Sequence, residues 1–272
     1  KRECIMNLKL LHIFLLSTGG TLLLCTPLIH TTELVNGLVI GKMCWFHLVM
    51  LFFSVCVFFV VLTKRTTAIA FLSSDLLLLI FTGTVLITYK WSLNPEPEKL
   101  IFIGQLVIFW FLLRYILTAY REFNFFFLFV GILTGLVEAV WGMQQLHGHA
   151  YSNHSLFRLT GSFFNPGPYS GYLAVVLPVG LWMALRFQKG MRCFGYICVG
   201  AILIVLPAGM SRSAWMAAVV ACGWVYWAER IGWEKTKAVY RRNKNATIPF
   251  IAIVAILVGC AIAELYGLKR DS

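Results

Sequence analysis

Charge is what this chain has least of. Only 12% of its 272 residues are Asp, Glu, Lys or Arg, and just 11 of them are acidic. No polar stretch is longer than a connector, so the sequence shows neither a soluble domain nor a low-complexity linker. The eight cysteines (Cys4, Cys25, Cys44, Cys56, Cys193, Cys198, Cys222 and Cys260) include no Cys-x-x-Cys pair. Most sit inside apolar runs, where they read as small packing residues rather than as a disulfide framework or metal site. An Asp-x-Asp pair is missing too. Glu96-x-Glu98 comes nearest, among the few acidic residues Glu33, Glu96, Glu98, Glu264 and Asp271 of the expected outer segments, and it reads as loop solvation. A divalent cation held by carboxylates finds no support in this inventory.

Apolar residues fill the space that charge leaves. They make up 60% of the chain, and the mean hydropathy is +0.81. No water-soluble fold of this length hides so much apolar surface. Long uncharged runs recur from end to end, which predicts an all-α, polytopic transmembrane helical bundle. With about 20 residues per crossing, about nine spans are expected near 10–29, 44–62, 68–89, 100–118, 124–146, 168–186, 193–209, 213–228 and 247–266. Lys1, Arg2 and Lys9 precede the first run. Its length and the lack of a small-x-small cleavage site favour an uncleaved first span over a signal peptide. Lys1 stands where a methionine would begin a chain, so a fragment or a misplaced start is expected, with Met6 as an available initiator.

The formal charge of +12 does not point to nucleic acid. The basic residues lie in short clusters between apolar runs, the pattern that orients membrane proteins. With the N-terminus cytoplasmic, 15 Lys and Arg fall in inner connectors and 7 in outer ones. An odd number of spans then puts the C-terminus outside. The basic 229–246 connector is expected to rest against anionic lipid.

Two arginines, Arg158 and Arg212, fall on the outer face against this bias. Arg158 opens the segment Arg-Leu-Thr-Gly-Ser-Phe-Phe-Asn-Pro-Gly-Pro-Tyr-Ser-Gly-Tyr, which ends at Tyr172. Asn165 suits a helix N-cap and Pro166 the first helical turn, so the sixth span aims its unpaired amides at the outer face. Gly161 permits a tight fold or close approach of a ligand to the backbone. The pattern repeats at the eighth span. Pro207-Ala208-Gly209 breaks the seventh helix, Ser211 is a possible cap, Ser213 follows, and Arg212 stands at the new helix start. A helix N-terminus with an arginine is the outline of a phosphate site, and two such ends suit a diphosphate. Arginines that snorkel to lipid headgroups from ordinary turns give the same pattern.

Arg158-x-x-Gly161-x-Phe163-x-Asn165-Pro166, a span containing Pro178, and then Ser211-Arg212-Ser213-Ala214-Trp215 together resemble the O-antigen ligase and polymerase family of bacterial envelope proteins. The similarity covers roughly residues 130–272. The domain reading is a single transmembrane unit, 1–272, with a ligase-like core at 124–272; spans within 1–123 match only in hydropathy. The resemblance implies glycan transfer from an undecaprenyl-diphosphate carrier to an acceptor (a glycolipid, a glycan or a protein) at the periplasmic side of the bacterial inner membrane. It implies no metal or other cofactor, no nucleic acid, and membrane lipid as surroundings. Arg158 and Arg212 would hold the diphosphate with Gly161, Asn165, Ser211 and Ser213, and would stabilise the leaving group. The family also has a long periplasmic loop with its histidine base after a span that here ends near Tyr266. The chain stops at Ser272, so the expectation is a fragment that lacks this loop and the last spans and does not catalyse alone.

Other polar residues could line the same cavity. Glu138 lies inside the fifth span, where a carboxylate is a functional candidate by default, with Arg158 or Arg212 as possible partners; a protonated Glu bonded within the bundle fits equally. Gln144 and Gln145 sit near the outer end of that span. His147, His149 and His154 precede Arg158; no carboxylate or cysteine completes a zinc set, so loop polarity or substrate contact is expected, from His154 above all. Asp75 is expected near the inner interface. A secondary transporter or flippase, with Glu138 as its proton or ion site, is the alternative to an enzyme.

Overall fold

The computed structural model describes residues 2–31, 37–64, 71–92 and 97–232, and all the regular structure among them is helical. Eight α-helices follow in order: α1 Arg2–Leu24, α2 Gly37–Lys64, α3 Ser73–Lys90, α4 Pro97–Ala119, α5 Phe123–Leu146, α6 Pro166–Arg186, α7 Lys189–Val205 and α8 Arg212–Tyr226. Among the described residues, seven stretches are long and apolar enough to cross a membrane: α1 from Met6, α2 to α6, and Lys189–Gly209. The eighth helix has 15 residues and runs into a π-helical turn at Trp227–Ile231. The expected ninth span at 247–266 lies outside the described residues.

Helix α2 begins at Gly37 rather than near residue 44, which moves Lys42 out of a connector and into the helix. The reason is local. The Lys42 ammonium donates to the Ile29 carbonyl at 2.6 Å and to that of Pro27, so the helix need not wait for the charge to pass.

The helices bury two apolar clusters. Leu16, Phe53, Val57, Ile116 and Phe123 anchor one, drawn from α1, α2, α4 and the start of α5. Ile132, Tyr169, Leu173, Met183 and Ile202 anchor the other, drawn from α5, α6 and α7 with Ala214 and Ala218 of α8. At the end of the bundle that holds the start of α1, His12 bonds Tyr120 and Thr63 through its two ring nitrogens, each at 2.7 Å. The Lys64 ammonium lies 3.6 Å from the centre of the Tyr120 ring.

Only one residue of α3 is buried, and it is Asp75. It does not face the interface as the sequence suggested. Its carboxylate pairs with Arg114 and accepts from the Trp110 indole at 2.9 Å, both on α4. A carboxylate buried among side chains needs such partners, and the ion pair ties the start of α3 to α4.

Small residues set the closest helix approach. At Gly195 of α7, a Cβ would lie 2.6 Å from the Ala184 amide nitrogen and 3.0 Å from the Gly180 carbonyl oxygen of α6. In lipid, where hydrophobic drive between helices is weak, such backbone contact supplies the packing energy. Gly195→Leu is therefore expected to lower stability by at least about 1–3 kcal/mol, read as a fall in thermal midpoint in detergent. Gly200→Leu on the same helix faces open space and should leave the midpoint unchanged.

Candidate functional site

The chain leaves α5 at His147, turns through Gly148 (φ 78°), and returns over the end of the bundle before entering α6. A non-helical segment in this position must find partners for its backbone groups. One side chain supplies four of these bonds. Gln145 Oε1 accepts from the amides of Thr160 (2.9 Å) and Gly161 (2.7 Å), while Nε2 donates to the carbonyls of Gly161 and Tyr151, each at 3.0 Å. The outgoing and returning arms of the loop are thus tied to one glutamine. Asn153 adds bonds from Nδ2 to the Gly161 (3.0 Å) and Phe163 (3.1 Å) carbonyls.

The next residues are held from below. Glu138 is fully buried, and its Oε2 accepts from the Ser162 amide at 3.0 Å. Gly161 adopts φ 55°, and a Cβ there would come within 2.4 Å of Glu138 Oε2 and of the Tyr169 ring. Both space and backbone conformation therefore require glycine. Tyr169 is fully buried and donates to the Glu138 carbonyl at 3.1 Å. From the other side, Lys42 Nζ donates to Ser162 Oγ at 3.0 Å and lies 4.9 Å from the centre of the Phe163 ring.

The loop consequently sorts its residues by depth. Leu159, Thr160, Gly161 and Ser162 are buried, while Arg158, Phe164 and Asn165 are exposed. Asn165 caps α6, its Oδ1 accepting from the Gly167 amide at 2.9 Å. The second arginine segment packs close by. A Cβ on Gly209 would lie 2.0 Å from Ser170 Oγ and 4.0 Å from the Pro166 carbonyl, so the Pro207–Gly209 turn rests on the first turn of α6. Met210 takes a left-handed conformation (φ 51°), and the chain enters α8 at the exposed Arg212. Ser211 does not provide the side-chain cap that the sequence suggested; its Oγ lies 3.4 Å from Ser213 Oγ instead.

Among the other residues singled out from sequence, Gln145 and Glu138 lie beneath the loop and hold it; neither lines a cavity described here. Glu138 takes Ser162, not an arginine, as its hydrogen-bond partner. Gln144 is exposed, with its carbonyl accepting from the amides of His149 and Ala150. His154 is half-buried between the rings of Phe157 and Phe164, and its Nδ1 accepts from the Leu156 amide at 3.0 Å. Among the described residues no group of three His, Cys, Asp or Glu side chains is placed to hold a metal ion. Lys42 and Ser162 are the residues that sequence reasoning missed. A lysine within reach of an apolar run was the available signal for the first; nothing local marked the second.

A cavity of about 580 Å³ opens beside the loop, between α1, α2, α4, α5 and α6. Its walls are apolar, with Phe127, Ile132, Tyr172 and Val176 among them, and Thr26, Lys42 and Phe163 border its loop end.

Compared with known families, curated proteins and solved structures, the chain matches none.

Removal of the Gln145 amide would leave two buried backbone N–H groups unsatisfied, at about 1–3 kcal/mol each. Gln145→Leu is expected to lower the thermal midpoint and to speed protease cleavage between residues 147 and 165. Gln144→Leu, one position along, should change neither.

Proposed function

We propose that the protein transfers a glycan from an undecaprenyl-diphosphate carrier to an acceptor hydroxyl, in the manner of the O-antigen ligases and polymerases of surface polysaccharide synthesis. The observation that carries this reading is that two exposed arginines lie on segments in contact with each other. Arg158 lies on the loop that leads into the capped start of α6, Arg212 lies at the start of α8, and the two segments meet through Gly209 and Ser170. Each helix start adds a partial positive charge and amides oriented toward the same end of the bundle. Guanidinium groups suit the paired oxygens of a diphosphate better than point charges do. The apolar cavity beside the loop, bordered by Lys42 and Phe163, offers a path for hydrocarbon next to this polar end.

In the reaction, the acceptor oxygen forms a bond to the anomeric carbon as the bond from that carbon to the diphosphate oxygen breaks. The hydroxyl proton passes to a base not assigned among the described residues, and undecaprenyl diphosphate leaves. Negative charge grows on the departing oxygen, where Arg158 and Arg212 stabilise it. The active end would face the periplasm from the bacterial inner membrane. One observation favours a transporter or flippase instead: Glu138 Oε1 is buried within a membrane-spanning helix and has no hydrogen-bond partner.

Arg158→Ala and Arg212→Ala in the complete protein are each expected to lower transfer at least about 100-fold with unchanged membrane expression. The measurement is glycan transfer from synthetic undecaprenyl-diphosphate oligosaccharide in proteoliposomes. Full activity in both variants would rule the reading out; proton-driven movement of the lipid-linked sugar without transfer, lost in Glu138→Gln, would favour the alternative.

A further inference from the structure

Two charged side chains lie on opposite sides of the Arg158 loop, and one serine separates them. Lys42 comes from α2 and Glu138 from α5. Ser162 Oγ accepts from Lys42 Nζ at 3.0 Å, and the Ser162 amide donates to Glu138 Oε2 at 3.0 Å. The Ser162 hydroxyl in turn donates to the Pro27 carbonyl. An ammonium carries three donors, and those of Lys42 are matched by Pro27, Ile29 and Ser162. This leaves Lys42 no hydrogen bond for a ligand, so it is not a third phosphate contact despite its place beside the cavity.

We propose that Lys42 and Glu138 are positioning residues, a charge pair joined through Ser162 that sets where the Arg158 segment sits. The role in catalysis rests on the function proposed above; the hold on the loop does not. Three observations converge on it. Glu138 is fully buried in a membrane-spanning helix, and a carboxylate there is costly unless an opposite charge is near. Lys42 reaches the same serine from the other side, its Nζ 3.0 Å from Ser162 Oγ. Finally, Ser162 sits between Arg158, four residues before it, and the Asn165 cap, three residues after it, so a shift at Ser162 moves both. The pair therefore links α2 and α5, which reach the loop from opposite sides, to the position of an exposed guanidinium.

A hydrogen bond alone predicts something different from a charge pair, and Glu138→Gln separates the two. Its amide oxygen can still accept from the Ser162 amide, but the charge is gone. In a cysteine-free version of the full-length protein in nanodiscs, Leu159→Cys, at a position only 3% exposed, reports loop displacement through labelling by a hydrophilic maleimide. Undecaprenyl diphosphate is the binding probe. Glu138→Gln and Lys42→Met are each expected to raise labelling and to weaken binding about tenfold. The double variant should recover part of both relative to Lys42→Met alone, because neither charge is then left without its partner. In addition, Arg158→Ala should weaken binding less in the Lys42→Met background than in the parent, since the loop is already displaced there.

Parent-like labelling and binding in Glu138→Gln would overturn the charge pair, as would a double variant no better than Lys42→Met or one that fails to fold. Folding of the double variant where a single does not would support it. If the parent protein binds no undecaprenyl diphosphate, the proposed function fails, while the labelling series still decides whether the pair holds the loop.

Discussion

A loop folded back onto a membrane bundle must satisfy its backbone without the regularity of a helix, and that constraint governs the end of the molecule where the two arginines lie. Beneath the loop, inward amides and carbonyls are met mainly by side chains. Gln145 serves both arms of the loop, Asn153 stitches the returning arm, and Glu138 takes the next amide in line. Exposure of Arg158 follows from the depth of its neighbours. The residues after it are drawn down, and it remains at the surface.

Close helix packing makes the arrangement rigid enough to matter. The approach of α6 and α7 at Gly180, Ala184 and Gly195 fixes where α6 begins and where α7 ends. Those two points are the Asn165 cap and the Pro207–Gly209 turn. The arginine segments come together at one end because small residues bring the backbones together along the shaft.

Much of the architecture could be read from sequence, since apolar run length and turn chemistry are local properties. Apart from the earlier start of α2, the long apolar helices through α7 fall close to their expected positions, and Asn165 caps α6 as its type and the following proline imply. Residue partners were harder to see. Choosing between Gln144 and Gln145 depends on helix phase, and one faces solvent while the other anchors the loop. Asp75 reads as an interface residue until α4 supplies Arg114, 39 positions along the chain. The bond between Lys42 and Ser162 spans 120 positions, a separation at which no local pattern carries a signal. Ser211, a good cap by residue type, makes no cap bond because its hydroxyl is directed toward Ser213.

Helix α5 belongs to both apolar clusters. Phe123 packs into one, Ile132 and Ala139 into the other, and Glu138 and Gln145 emerge from it two turns apart on the face beneath the loop. A helix that changes partners along its length acts as a phase standard. Its rotation is set by the first cluster and read out by the second. Each residue advances about 100° around the axis, so a single insertion between the clusters would carry both acceptors away from the loop together. Substitution on the open face of such a helix costs little, whereas a change in its length between the clusters displaces every contact beyond it.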